Sequence, residues 1–468
     1  MAVFPRRLLN CQSGPRKSLA TWSRVPKKFK SLLLRAVGPL MAAWLYHVGI
    51  SGPFQRMRTD FVVVGAGVAG LRARGSWFAF LFFATPLSAS SPWSALWTTP
   101  CILAASLLIT WGAEAAQFFV AQGFALAMLA WMQTLPEFAV EAVLAWKQQT
   151  GLLLANLTGA LRLLTGLAWP LIYLTAAVVH RRRTGKPLRQ IRLDAHHSVE
   201  VIGLFFPLLY ALFIWWKGSL HLWDAFPLLG MYGAYLALLM KLPPEEQEGV
   251  EDLETIPRSI VTAPRRWRIA GIFGCFLIGG ALIYLAAEPF LGSLVALAAA
   301  VGLPSFLVIQ WLAPVISEFP ELLSTFYFAR QQENAGVALM NIASSNINQW
   351  TLLVAMLPAV YSMSVGRPSG FSFDVAQRTE LLLTVGQSFV SMLFLLNMYF
   401  SWVEAIAMFA LFAVQFVLPM FFGDATRTYV AWAFFAWTAG GLALFAIRRP
   451  KINAVSSFLS TWRAHVRG

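Results

Sequence analysis

Two Pro-Glu pairs, Pro136-Glu137 and Pro320-Glu321, lie in stretches that are otherwise almost wholly apolar. A carboxylate at hydrocarbon depth is expensive unless it meets a cation, a proton or water. The proline before it removes a backbone donor and frees a carbonyl, opening a helix where oxygen ligands are useful. Thr134 and Asn156 flank the first pair; Ser317, Asn341, Ser345 and Gln349 flank the second. Carboxylate, carbonyl, hydroxyl and amide oxygens are what hard cations such as Ca2+ and Na+ bind. The chemistry on offer is cation binding and release, with Pro136 and Pro320 as the helix openers.

The two constellations are copies of each other. Thr134-Leu-Pro-Glu-Phe-Ala-Val-Glu141 is followed by Ala145-Trp-Lys-Gln-Gln, Gly151 and Ala155-Asn156; Glu318-Phe-Pro-Glu-Leu-Leu-Ser-Thr325 is followed by Ala329-Arg-Gln-Gln, Gly336 and Met340-Asn341. Pro to Asn is 20 residues in one copy and 21 in the other, and Glu200 to Asp224 and Glu380 to Glu404 are both 24. Internal repetition of this kind, in a membrane chain, places substrate and ion sites where the repeats meet. Glu141 lies one turn after Glu137 and Glu318 one turn before Glu321, so each pair shares a helix face.

With these motifs the chain resembles the cation/calcium antiporter superfamily, which includes the sodium/calcium exchangers. The resemblance covers roughly residues 101–422, and the two α-repeats carry it. The family's motifs read Gly-Thr-Ser-x-Pro-Glu-Leu and Gly-Asn-x-x-Gly-Ser-Asn-x-x-Asn. The resemblance implies ten core helices and an alternating-access antiporter with Glu137 and Glu321 as ion ligands. It puts Ser317 at the Thr position of the second copy and Thr134 at the Ser position of the first. Asn156 and Asn341 become the Gly-Asn asparagines, and Ser345 and Gln349 the later Ser and the last Asn. The first copy departs from the pattern, with Ala160 and Leu164 replacing the later Ser and last Asn and Arg162 introduced. Glu141, Glu318 and Arg162 are expected to tune the site's charge or carry protons, with Arg162 a counter-ion to Glu141.

What must position these residues is a bundle of membrane-spanning helices. The chain is 58% hydrophobic and 12% charged, about half the charge of a soluble protein. Apolar runs of 18 residues or more are long enough to cross as helix, and a lipid-exposed backbone must satisfy itself within each segment. The fold class is therefore an all-α membrane protein: an inverted repeat of five plus five helices, one further C-terminal helix, and weaker apolar segments near the N-terminus. Expected spans are 101–121, 123–147, 151–179, 198–216 and 220–241, then 268–289, 291–330, 336–361, 381–399 and 402–422, with a last helix at 428–447. The organisation reads as a basic arm (1–97), a first repeat (98–242), a charged linker (243–267), a second repeat (268–422), and an extra helix with a basic tail (423–468). The connection Arg181–Arg192 is the most basic one and belongs in the cytoplasm. Counting spans outward puts the linker and the C-terminus on the same side and residue 98 outside, in the plasma membrane, or the inner membrane if the source is bacterial. Five helices per half, an odd number, then give the two repeats opposite polarity.

The remaining features exclude other classes. Of 36 basic residues, eleven lie in the first 59 positions without an acid, and the remaining 25 nearly balance the 21 acidic residues, so the net charge of +15 needs no nucleic-acid partner. Cys11, Cys101 and Cys275 are too far apart for a CxxC motif, and His196-His197 reads as a juxtamembrane polar pair. Gly65-Ala-Gly67-Val-Ala-Gly70 resembles the opening of FAD-dependent oxidases, but no second strand or acidic ribose ligand follows. No cofactor is expected, nor enzymatic activity; the partners are inorganic cations and the lipid bilayer. The acidic run Glu245–Glu254 lacks the alternating ligand spacing of a Ca2+ loop and reads as a solvated linker. Glu200, Asp224, Glu380 and Glu404 are expected near helix ends, at the interface. Export of Ca2+ or a related cation against Na+ or H+ is the leading reading. A cation/proton exchanger on the same fold and a non-transporting sensor or scaffold are the rivals.

Overall fold

The computed structural model describes residues 91–119, 134–242, 250, 253, 255–330, 335–448 and 452–466. The basic arm up to residue 90, with its glycine motif, lies outside the described residues. So do the first part of the second expected span and nearly all of the acidic run.

The first repeat runs from α1 (Ala95–Ala116) to α2 (Leu135–Trp146) and α3 (Thr150–Leu163), then through a π-helical segment (Leu164–Ala168) into α4 (Trp169–Thr184). Strand β1 (Gln190–Arg192), the short α5 (Ser198–Gly203), α6 (Phe205–Lys217), β2 (Ser219–His221) and α7 (Ala225–Leu239) complete it. The linker ends in α8 (Thr255–Thr262). The second repeat contains α9 (Arg265–Ala300), α10 (Ser305–Ser317), α11 (Phe319–Arg330), α12 (Ala335–Asn348), a second π-helical segment (Gln349–Leu353) and α13 (Val354–Val365). It closes with β3 (Gly370–Ser372), α14 (Val375–Leu395), β4 (Tyr399–Ser401) and α15 (Trp402–Phe422). Helices α16 (Ala425–Arg448) and α17 (Asn453–His465) follow, the second of them in what the sequence reads as a basic tail.

The duplication is structural as well as sequential. Helices α3 and α12 are 14 residues each, and each passes at the same place into a five-residue π-helical segment, 185 positions apart. A π turn widens the helix and breaks its regular hydrogen-bond ladder, a feature common at functional sites. The strands cross between repeats: β1 pairs antiparallel with β4 (Ile191 opposite Phe400), and β2 with β3 (Leu220 opposite Phe371). These short ladders satisfy backbone groups that helix ends would leave open.

Two expected boundaries move. The sequence places a break near residue 290, yet α9 runs through Pro289 to Ala300 and stops where Gly302 takes a left-handed φ of 70° before Pro304. Gly and Pro together end the helix more firmly than a lone proline inside it. Helix α14 begins at Val375, not 381, because Asp374 caps it in a reciprocal box with Gln377. This buries Glu380, expected at the interface, more than a turn inside the helix.

Among the described residues seven helices are long and apolar enough to cross a membrane, or eight if the pair α10–α11, bent by 57°, is one span. Helices α12, α13 and α14 fall outside this set; α12 and α14 carry many buried polar residues (Ser345, Asn346, Asn348, Glu380, Thr384, Gln387), as helices inside a bundle rather than against lipid would. Helix α1 packs along α9, and α3 against α10 and α14. The α3–α10 contact is close: a Cβ on Gly159 would stand 1.8 Å from the backbone oxygen of Gln310. Tyr, Trp and Leu side chains such as Trp216, Trp267, Leu277 and Tyr284 face outward, as a lipid-facing surface with aromatic belts requires.

Candidate functional site

Pro136 stands in the first turn of α2, and Pro320 in the first turn of α11 just past the bend from α10. Proline is tolerated there because a first-turn N–H has no intrahelical partner. The prolines therefore mark helix starts rather than interrupting helix interiors, and Glu137 and Glu321 each fall in the first turn that follows. The partial positive charge of a helix N-terminus suits a carboxylate at that position.

The fold brings the carboxylates of both repeats together. Glu137, Glu141, Glu318 and Glu321 are all at most 1% exposed. Glu137 interacts electrostatically with Glu141 and Glu321, and Glu318 with Glu137, Glu141 and Glu321. Among the described residues neither oxygen of Glu137 accepts a hydrogen bond of good geometry, although Glu318 and Gln349 stand beside it, and one oxygen each of Glu141 and Glu318 is likewise open. Buried polar atoms are nearly always satisfied, so open oxygens gathered in one place call for a cation or protons.

Amides surround the cluster, arranged by the repeat. Asn156 donates to Glu141 at 3.2 Å, and in the second copy Asn341 donates to Thr325, the counterpart of Glu141, at 3.4 Å. Gln349 donates to Glu318 at 2.9 Å, and Ser345 lies beside Glu321. Asn348 crosses between repeats to Thr134 at 2.6 Å. The hydroxyl of Ser317 turns back onto its own helix, donating to the carbonyl of Ala313 at 3.1 Å. Of the ion-binding candidates, Glu137, Glu321, Asn156, Ser345 and Gln349 meet here with Glu141 and Glu318, Asn341 bonds Thr325 one turn past Glu321, and Ala160 and Leu164 sit in fully buried packing positions.

Arg162 corrects the expectation made for it. Its guanidinium bonds Glu380 at 2.6 Å, not Glu141, while its Nε donates to the carbonyl of Thr158 at 2.9 Å and its plane lies over Trp311. Glu380 also pairs with Arg427 and accepts from Gln310 at 2.8 Å. Two arginines, of the first repeat and α16, thus share a carboxylate of α14, apart from the four-glutamate cluster, and Arg427 also pairs with Asp424 at 3.2 Å. The sequence missed this network because its members lie far apart in the chain, joining residues 162, 310, 380 and 427. Gln310 alone signals it, as an amide in an otherwise apolar helix. Asp224, expected at the interface, is buried and structural: Lys217, Tyr210 (2.8 Å) and the His221 backbone (2.7 Å) all bond it. Glu404 caps α15 with Ser401.

Comparison with known proteins gives the family and the fold. The sequence model of the family described as sodium/calcium exchanger protein matches residues 90–241 and 271–421, one segment per repeat. Among solved structures the chain is similar to an H+/Ca2+ exchanger, CAX, at 29% identity and a TM-score of 0.72, over 88% of this chain and 98% of that one. It is also similar to the sodium-calcium exchanger NCX_Mj soaked with Na+ and Sr2+, at 19% identity and a TM-score of 0.45, over 68% and 95% of the two chains. No curated protein matches.

Proposed function

The chain belongs to the sodium/calcium exchanger protein family, and on that premise we propose that this membrane antiporter moves Ca2+ or a related cation in exchange for H+. It is a transporter, not an enzyme. Glu137 and Glu321 hold the cation, and Glu141 and Glu318 share its charge or carry protons. The observation that supports this most directly is the four-carboxylate cluster, in which, among the described residues, the charged neighbours acting on Glu137 are carboxylates.

Charge balance gives the mechanism. Several buried carboxylates cannot all stay ionised without a counter-charge, since each desolvated anion costs several kcal/mol, to order of magnitude. One Ca2+ neutralises two of them, and so do two protons. The site can release the divalent cation on one side by taking protons, and return by the reverse exchange. Glu141 stands where the second copy has Thr325, and Glu318 where the first has Thr134. These two extra carboxylates supply proton capacity beyond the Pro-Glu pair. The likeness to an H+/Ca2+ exchanger at a TM-score of 0.72 supports proton coupling over sodium coupling. Asn156, Asn341, Ser345, Gln349, Thr134 and Ser317 complete or orient the oxygen set. The helix starts at Pro136 and Pro320, with the repeats of opposite polarity, let one group of helices rock against the other around a fixed site. No cofactor takes part; the cations are cargo. The basic Arg181–Arg192 connection and the C-terminus face the cytoplasm.

The test is 45Ca2+ uptake into proteoliposomes. Acid-loaded vesicles should accumulate Ca2+ and lose luminal protons, whereas Na+-loaded vesicles at equal pH should not. Uptake driven by Na+ alone would replace the coupling ion, and absence of uptake under both gradients would remove Ca2+ antiport.

A further inference from the structure

The connection after β1 holds a second cluster of ligand-type side chains, remote in role from the four glutamates. Asp194, His196 and His197 present ligand atoms that all lie within 4.8 Å of one another. They occupy a single turn, Asp194 preceding the 3-10 segment Ala195–His197, with the His197 N–H bonded to the Asp194 carbonyl at 3.1 Å. Asp194 is exposed, His196 half-buried and His197 buried. Glu200, one turn on and 7% exposed, aims Oε2 at Nδ1 of His197 at 3.8 Å, and that oxygen accepts no hydrogen bond among the described residues. The separation is too long for a hydrogen bond.

From this arrangement we infer that Asp194, His196 and His197 form a site for Zn2+ or a similar transition-metal ion, with Glu200 orienting the His197 imidazole. Zn2+ takes carboxylate oxygen and imidazole nitrogen at about 2.0–2.2 Å, so tetrahedral ligand atoms stand roughly 3.3 Å apart. The ligand atoms of this trio, now within 4.8 Å of one another, would have to close by about 1.5 Å at most to reach that spacing. Three protein ligands leave a fourth position for water. A metal-bound histidine that offers its other nitrogen to a carboxylate is the usual supporting arrangement, and Glu200 is placed to provide it through Nδ1 of His197. Two imidazoles also select against the transported ion, because Ca2+ prefers oxygen ligands. The site has a structural role available to it. Helix α17 packs over this turn and over α5, and the adjoining β1 strand pairs with β4 of the other repeat. A bound metal would stiffen the junction where the two repeats and the C-terminal helix meet.

The test uses the purified full-length chain titrated with Zn2+ alone, with Co2+ absorption as a second readout of the ligand field. We expect one saturable site per chain, kept in Glu137→Gln, with affinity lowered at least tenfold in His196→Ala and in Asp194→Asn. Both changes are outside the buried core, so the variants should fold. Glu200→Gln should weaken binding by about 10–100-fold. No saturable site, a site lost in Glu137→Gln, or unchanged affinity in His196→Ala would each overturn the inference.

Discussion

At the scale of single residues, the molecule treats its buried charges in two ways. Arg162, Glu380 and Arg427 form a paired group with Gln310 as an added donor, whereas Glu137, Glu141, Glu318 and Glu321 meet one another. Removing one partner of a buried ion pair strands the other and costs about 3–5 kcal/mol. Glu380→Ala, which leaves the buried Arg162 without its carboxylate, should therefore lower the thermal midpoint of the detergent-solubilised protein markedly. Glu141→Gln should leave it level or higher, since it removes one of several like charges and keeps an acceptor for Asn156. A larger loss in Glu141→Gln than in Glu380→Ala would reassign the partner of Arg162. The Pro-Glu pairs and their amides were legible in the sequence because apolar surroundings make each polar residue conspicuous. The partner of Arg162 was not, because a salt bridge across 218 positions leaves no local pattern. Proximity along the chain favoured Glu141, and the fold chose Glu380.

At the scale of elements, helix breaks and close contacts position the site. The bend between α10 and α11 puts Glu318 and Glu321 on either side of a helix start, and Gly159 lets α3 lie directly against α10. A side chain at Gly159 would meet backbone, which cannot rotate away, so the helices would have to part. Gly159→Ala should destabilise the fold and Gly159→Leu should abolish it, as read by monodisperse yield and thermal midpoint. Wild-type behaviour in Gly159→Leu would mean the two helices do not approach as described. The sequence showed the prolines and the repeat. It did not show the matched π-helical segments, since Leu164–Ala168 and Gln349–Leu353 share no residue pattern that marks a wider turn. Nor did it show the strands, whose three-residue lengths are too short for a visible alternation. The end of α9 lies beyond the expected one because Gly302, with its left-handed φ, and not Pro289 stops the helix.

At the scale of the whole molecule, two repeats of opposite polarity surround one acidic centre, and the cross-paired strands tie them at their ends. We propose, by the positive-inside rule, that the Arg181–Arg192 connection and the tail lie in the cytoplasm. A single cysteine at Ser460, in a chain with its native cysteines replaced, should react with an impermeant maleimide only after cells are opened. Labelling of intact cells would reverse the orientation. The central claim is that the four-glutamate cluster is the transport site. Its most direct test is 45Ca2+ flux in acid-loaded proteoliposomes, wild type beside Glu137→Gln and Glu321→Gln. The account predicts gradient-driven uptake in the wild type and a loss of at least tenfold in each variant, with folding retained by thermal midpoint. Full uptake by either variant would contradict it.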